Sequence, residues 1–171
     1  IFTLYCDRKG RMWIGTFGGG LDLAIKENNR YTFRHFFTKT FGQRRTRAII
    51  EDSNGWIWVG NSDGVYVFSP DSLQADPQNY LTYNYNNGKL RSNEIKCIYQ
   101  DTQNRIWIGS SGGGLSMCIP GTDYRNLTFK HYGTSNGLVN DMVQAIAEDK
   151  QGNLWIATEY GISRFNPETQ A

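Results

Sequence analysis

The sequence predicts an all-β fold, a β-propeller fragment of about four four-stranded blades with the last blade incomplete. Three observations carry that expectation. A ten-residue segment that opens on Asp and holds Trp at its seventh place occurs four times, at 7–16, 52–61, 101–110 and 149–158. The intervals between Trp13, Trp58, Trp107 and Trp155 are 45, 49 and 48 residues, a period that belongs to propeller blades or helical arrays. Composition then selects the propeller: 19 Gly, 10 Tyr, 9 Phe and 5 Trp stand against 4 Pro, the mixture of strand formers and tight-turn residues that many short strands require.

Each unit reads as a run of strands. The first places strands over 2–6, 11–16, 21–25 and 31–37. In the second, 46–51 leads through Asp52-Ser53-Asn54-Gly55 into 56–61, and Ser62-Asp63-Gly64 turns the chain into 65–69; a loop then reaches the fourth strand at 80–85. The third unit has 95–100, 105–110, 115–119 and 127–132, and the fourth has 142–148, 153–158 and 162–165 without a fourth strand. The blades therefore fall at approximately 1–38, 39–88, 89–133 and 134–171. Asp at the first and Gly at the fourth place of the turn suit a type I turn, and this turn role is taken to account for the repeated Asp.

The second strand is apolar on both faces, with Ile57 and Val59 on one and Trp58 on the other. Blades stacked face to face explain this, whereas a sheet with one wet face would alternate. Gly15, Gly60 and Gly109 follow the apolar pair and leave room for the adjacent blade; Ala157 holds that place in the fourth unit. The triple glycines at 18–20 and 112–114 are followed by strand patterns and not by the helix a phosphate cradle needs.

Charge and patterning exclude several classes. Eighteen Lys+Arg against 16 Asp+Glu give a net +2, no basic field for nucleic acid. No apolar run approaches the roughly 20 residues that span a bilayer, and no membrane contact is expected within the segment. The start Ile1-Phe2-Thr3 has neither an initiator Met nor a basic leader, so the chain is expected to be a piece of a longer protein. Cys6, Cys97 and Cys118 read as small buried hydrophobes. His35 and His131 occupy matching places on outer strands two blades apart, which argues against a shared metal, and the Asp turns lack the alternating oxygens of a calcium loop. No catalytic residue, metal site or cofactor is assigned.

The pattern Asp-x-x-Gly-x-Leu-Trp-Ile-Gly-Thr followed by Gly-Gly-Leu resembles the two-component regulator propeller repeat family. Asn136-Gly137-Leu138-Val139-Asn140-Asp141-Met142-Val143 is similar to that family's entry into the first strand, and Asn87-Gly88-Lys89-Leu90-Arg91-Ser92-Asn93 repeats it with one inserted Lys. Phe41-Gly42-Gln43-Arg44-Arg45-Thr46 departs from it, as do Asn104 in a turn and Ala157 in a strand. The resemblance implies a ligand-sensing module in the periplasmic sensor region of a hybrid two-component histidine kinase, acting in signal transduction, with an oligosaccharide as ligand.

With the first strand of each blade nearest the axis, the loops entering it and the loops joining second to third strands share one face. Ligands favour such loop clusters and the channel they surround. That face collects Phe17, Arg44, Arg45, Arg47, Asn61, Asp63, Asn93, Glu94, Ser110, Asn140, Asp141, Glu159 and Tyr160 as candidate ligand-binding residues. Aromatic platforms with planar polar side chains suit sugars, and Phe17, Tyr160, Arg45 and Asn93 have that chemistry. A propeller-type lyase is the alternative, requiring a His with a partner acid or metal beside the channel; a protein–protein interaction scaffold is another. Four blades leave open edges and uncovered faces, so the expected partners are the remaining blades of the parent receptor or a second copy of this chain in a homodimer.

Overall fold

The computed structural model describes residues 1–170 and arranges them as four successive antiparallel sheets. Blade 1 contains β1 (Thr3–Cys6), β2 (Met12–Gly15), β3 (Leu21–Glu27) and β4 (Arg30–Phe36); blade 2 contains β5 (Ala48–Glu51), β6 (Ile57–Asn61), β7 (Gly64–Phe68) and β8 (Leu81–Tyr83). Blade 3 is built from β9 (Ile95–Gln100), β10 (Ile106–Ser110), β11 (Gly114–Cys118) and β12 (Lys130–Tyr132), and blade 4 from β13 (Val143–Glu148), β14 (Leu154–Thr158) and β15 (Gly161–Phe165). Every strand pairs with its sequence neighbour, so each blade is a meander with its first strand at one edge. Those edge strands approach one another from blade to blade, β1 to β5, β5 to β9 and β9 to β13, and so line the axis. This is a β-propeller fragment of four blades, the fourth with three strands among the described residues.

Three apolar layers hold the blades together. Trp13 packs with Ile49, Ile57, Val59 and Phe68 of blade 2; Trp58 packs with Ile95, Ile98, Ile106 and Ile108 of blade 3; Trp107 packs with Val143, Leu154, Ile156 and Phe165 of blade 4. These three indoles are fully buried. Trp155 occupies the same register place in blade 4 and is 45% exposed, because no blade lies over it. The strand glycines act as the sequence requires. A Cβ on Gly60 would lie 2.5 Å from Ile95 of the next blade, and one on Gly15 or Gly109 would lie 2.6 Å from Thr46 or Val143, distances no carbon pair tolerates.

The repeated Asp does more than form a turn, which corrects the sequence reading. Oδ1 of Asp52 accepts the backbone N–H groups of Asn54 and Trp56, and Oδ2 accepts the buried indole N–H of Trp58. Asp7, Asp101 and Asp149 make the same bond to Trp13, Trp107 and Trp155. The carboxylate thus pins the turn to the tryptophan that fills the blade junction. Its remaining capacity is taken by Arg11 at Asp7 (2.7 Å) and by Arg105 at Asp101 (2.6 Å). At Asp52, where Trp56 stands in place of Arg, the hydroxyl of Tyr124 donates instead at 2.6 Å.

Two segments differ from expectation. The stretch read as loop after β7 holds helix α1 (Pro70–Ala75), with Pro70 in its first turn and Asp71 beside it; Pro pre-sets the first helical φ and gives up an amide that would lack a partner. The last strand of blade 3 is shorter than read, β12 starting at Lys130, because 119–129 folds back over blade 2 to deliver Tyr124. Among the cysteines, Cys118 is buried and Cys97 half-buried, but Cys6 is exposed on the free side of blade 1, so the small-hydrophobe reading fails there. No helix among the described residues is long and apolar enough to cross a membrane.

Candidate functional site

The loops entering the inner strands and the turns joining second to third strands lie together at one end of the sheets, as the sequence geometry expects. Phe17 of blade 1 pairs with Arg45 of blade 2 and Ser111 of blade 3 with Met142 of blade 4, while within blades 3 and 4 the Ser111 amide donates to the Glu94 carbonyl at 2.8 Å and the Glu159 amide to the Met142 carbonyl at 3.1 Å. At this end of β9 and β13 the ladder slips by one residue, skipping Lys96 and Gln144. A bulge of this kind re-aims a side chain. Arg47 and Phe2 hold the equivalent places before β5 and β1, their amides donating to Gly60 and Gly15.

The result is a contiguous mouth across blades 1 to 3. Phe2 and Phe17 meet edge to face at 6.1 Å between ring centroids. The Arg45 guanidinium lies 5.1 Å from the Phe17 ring and 5.7 Å from the Phe2 ring, and Arg47 lies 6.0 Å from Phe2. Arg47 Nε stands 3.9 Å from Glu94, which also pairs with Lys96 at 3.4 Å. That Nε is buried and has no hydrogen-bond partner, although a guanidinium carries five donors that normally find acceptors. Three cations against one carboxylate give the mouth a local positive excess.

The other predicted residues divide. Arg44 pairs with Asp63 at 3.2 Å beside the mouth, and Asp63 also accepts the Tyr66 hydroxyl; burial, and then the Asp63 charge, raise the pKa of that phenol. Glu159 accepts from Gln144 at 3.1 Å, and Tyr160 is 77% exposed at its loop tip. Asn61 and Ser110 are buried beneath their turns and are not loop-tip groups. Asn61 Oδ1 accepts the Asp63 amide, while its Nδ2 is left without a partner. Asn93 ties Tyr85 to Asn86, Asn140 caps the Met142 amide, and Asp141 clamps Thr134. Phe2, Lys96 and Gln144 were missed by a reading centred on loop tips; their signal is the place five residues before the turn Asp of each unit, where the ladder skips Lys96 and Gln144.

Neither histidine is at the mouth. His35 meets Asp22 at 2.6 Å on β4 and β3, and His131 meets Ser116 at 2.8 Å on β12 and β11, all on outer strands. Burial, with the Arg91 charge, lowers the pKa of His131. Among the described residues no group of three His, Cys, Asp or Glu side chains could hold a metal. A groove of about 680 Å³ lies along the 117–130 loop at the outer rim of blade 3.

Segments 1–18, 41–63, 89–112 and 137–160 match the family model described as two component regulator propeller, and together they make up just over half of the chain. The chain belongs to the two component regulator propeller family. Among solved structures, this two component regulator propeller segment is similar to the extracellular domain of a proposed hybrid two component system, BT3049, from B. thetaiotaomicron, with 29% identity and a TM-score of 0.80 over 98% of this chain and 22% of that one. A second such domain from the same organism, BT4673, is 22% identical with a TM-score of 0.79, over 99% of this chain and 24% of that one. A curated relative, histidine kinase P4 of Formosa agariphila, is 22% identical over 162 residues, 93% of this chain and 12% of the kinase. The segment thus spans about a quarter or less of each of these three relatives.

Proposed function

We propose that this segment is part of the ligand-sensing region of a periplasmic receptor of the hybrid two-component histidine kinase class, and that its axial mouth contributes an oligosaccharide subsite. Family membership and the extracellular domains it is similar to support the sensor role. The observation that carries the ligand is the network of Phe2, Phe17, Arg45, Arg47 and Glu94. Exposed aromatic rings can pack against the C–H faces of sugar rings, and a guanidinium offers paired donors to vicinal hydroxyls or a carboxylate. The cation excess favours acidic oligosaccharides. A lyase is disfavoured because both histidines sit on outer strands away from the axis.

A thermal-shift and calorimetric screen of the chain against neutral and acidic oligosaccharides tests this reading. An acidic oligosaccharide is expected to raise the melting temperature, and Arg45→Ala or Phe17→Ala to remove the shift while the unliganded protein melts as before. Binding that survives both substitutions, or a panel in which no oligosaccharide binds, would reject the mouth as a sugar site.

A further inference from the structure

Arg47 enters the mouth from blade 2 and is held at both ends. Its amide donates to the Gly60 carbonyl at 2.9 Å, and its guanidinium lies 6.0 Å from the Phe2 ring. Its Nε is buried and has no hydrogen-bond partner, and a buried donor without an acceptor is a standing cost to the folded state. Glu94 of blade 3 is the carboxylate beside it and stops at 3.9 Å, too far for a hydrogen bond.

Blade 3 holds Glu94 back. Its amide donates to Ser92 Oγ at 3.2 Å, its carbonyl accepts the Ser111 amide at 2.8 Å, and its Oε1 accepts from the Lys96 ammonium at 3.4 Å. One oxygen therefore faces two cations and bonds only one of them. The pair can be reached from solvent, since the Glu94 and Arg47 side chains are 39% and 28% exposed. Neighbouring carboxylates are engaged elsewhere, Asp63 with Arg44 at 3.2 Å and Glu159 with Gln144 at 3.1 Å. Arg45 lies over Phe2 and Phe17.

We propose that Glu94 stands in for the carboxylate of a uronate-class sugar. Such a sugar binds by displacing the Glu94 side chain, its carboxylate accepting from Arg47 Nε and Lys96 Nζ and its ring lying against Phe2. An acceptor free of the blade 3 backbone can approach Arg47 at the short distance of a charge-assisted hydrogen bond, which Glu94 does not reach. A neutral sugar has no charge to exchange for that of Glu94, so the residue that yields to a uronate also turns neutral sugars away from this place. The inference rests on the reading of the mouth as a sugar subsite and adds the group that the ligand carries and the residue that selects for it.

The test titrates the full chain with galacturonate and with galactose at matched ionic strength and follows the arginine Nε–H resonances by NMR, that of Arg47 being assigned by its loss in Arg47→Lys. Galacturonate is expected to move the Arg47 resonance downfield, and galactose to leave it in place. Glu94→Gln is expected to bind galacturonate at least about tenfold more tightly than the wild type, a difference of about 1.4 kcal/mol, without a matching gain for galactose. An unmoved Arg47 resonance in the wild type would overturn the proposal, as would galacturonate binding that Glu94→Gln leaves unchanged or weakens. Oligosaccharides that bind at Phe17 and Arg45 with no preference for acidic ones would also overturn it, while leaving the sugar subsite standing. Galacturonate seated on Arg47 beside a panel in which no oligosaccharide binds would support the exchange and reject the oligosaccharide reading.

Discussion

The indole N–H of Trp58 donates to Oδ2 of Asp52 at 2.8 Å, six residues apart along the chain. The bond joins the two functions of the repeat, turn formation and blade packing, in one carboxylate. Its recurrence at 2.9, 2.8 and 2.9 Å in the other three blades makes it the unit from which the fold is assembled.

Asp101→Ala removes the acceptor of a fully buried indole and of the Gln103 and Arg105 amides, and leaves Arg105 without its 2.6 Å partner. One stranded buried donor costs about 1–3 kcal/mol and a lost charged hydrogen bond about as much, so a loss of about 3 kcal/mol is expected in urea unfolding. Asp101→Asn keeps the shape and one acceptor and is expected to lose less. Equal stability of Asp101→Ala and wild type would refute the role.

Acid unfolding follows from the same bonds. The Trp155 indole first, and then Asn153 and Gln151, outweigh the opposing burial and hold the Asp149 carboxyl down to about 2, below its ordinary 3.8. At Asp7, burial pushes the carboxyl up, but the bonds from Trp13 and Arg11 together overcome it and the net shift is downward. Folded values below the unfolded one mean that the ionised carboxylates stabilise the native state above about pH 4. That contribution is lost as pH falls from 3.8 through about 2 at Asp149. Urea midpoints measured across this window are expected to fall steeply, and Asp149→Asn to flatten the slope.

Gly60→Ala places a methyl 2.5 Å from Ile95 across the junction of blades 2 and 3. Overpacking of this kind costs about 1–3 kcal/mol. Adding Ile95→Ala is expected to relieve the overlap, so the double variant should be less unstable than the sum of the two single losses. Strict additivity in chemical denaturation would show that the two positions do not meet.

The three thiols are expected to divide in their reaction with a disulfide reagent at neutral pH. Cys6 is exposed, whereas burial pushes Cys97 and Cys118 up to about 12. One thiol should react fast and two only on unfolding. Because their folded values exceed the ordinary 9, the two buried thiols contribute stability that is complete below pH 9 and declines from there towards about 12. Rapid reaction of all three thiols in the native protein would contradict this placement.

Much of the architecture was legible in the residues. Four Trp at a propeller period, glycine after the apolar pair, and strands apolar on both faces each state a local rule that stacked sheets must satisfy, and each of the fifteen strands among the described residues overlaps its expected span, with β5, β8 and β12 shorter than expected. The turn Asp was legible only as a turn, because its indole partner lies six residues away and the bond exists only once the hairpin closes. Helix α1 carried a signal in Ser69-Pro70-Asp71 that the strand pattern around it obscured.

The mouth was legible by face but not by member. Loop order along the chain places Phe17, Arg45, Arg47 and Glu94 at one end of the sheets, because a meander returns each loop to the same side. Which of the thirteen candidates touch one another depended on packing: Arg45 settled on Phe17 and Arg47 beside Glu94, while Asn61 and Ser110 sank beneath their own turns; bulges took Lys96 and Gln144, outside that set, out of the strand ladder. Periodicity is a property of one chain segment at a time and can be read from its order of residues. Contacts such as Tyr124 on Trp56, or Ile95 over Gly60, join different segments, and only the assembled curvature of neighbouring blades selects them.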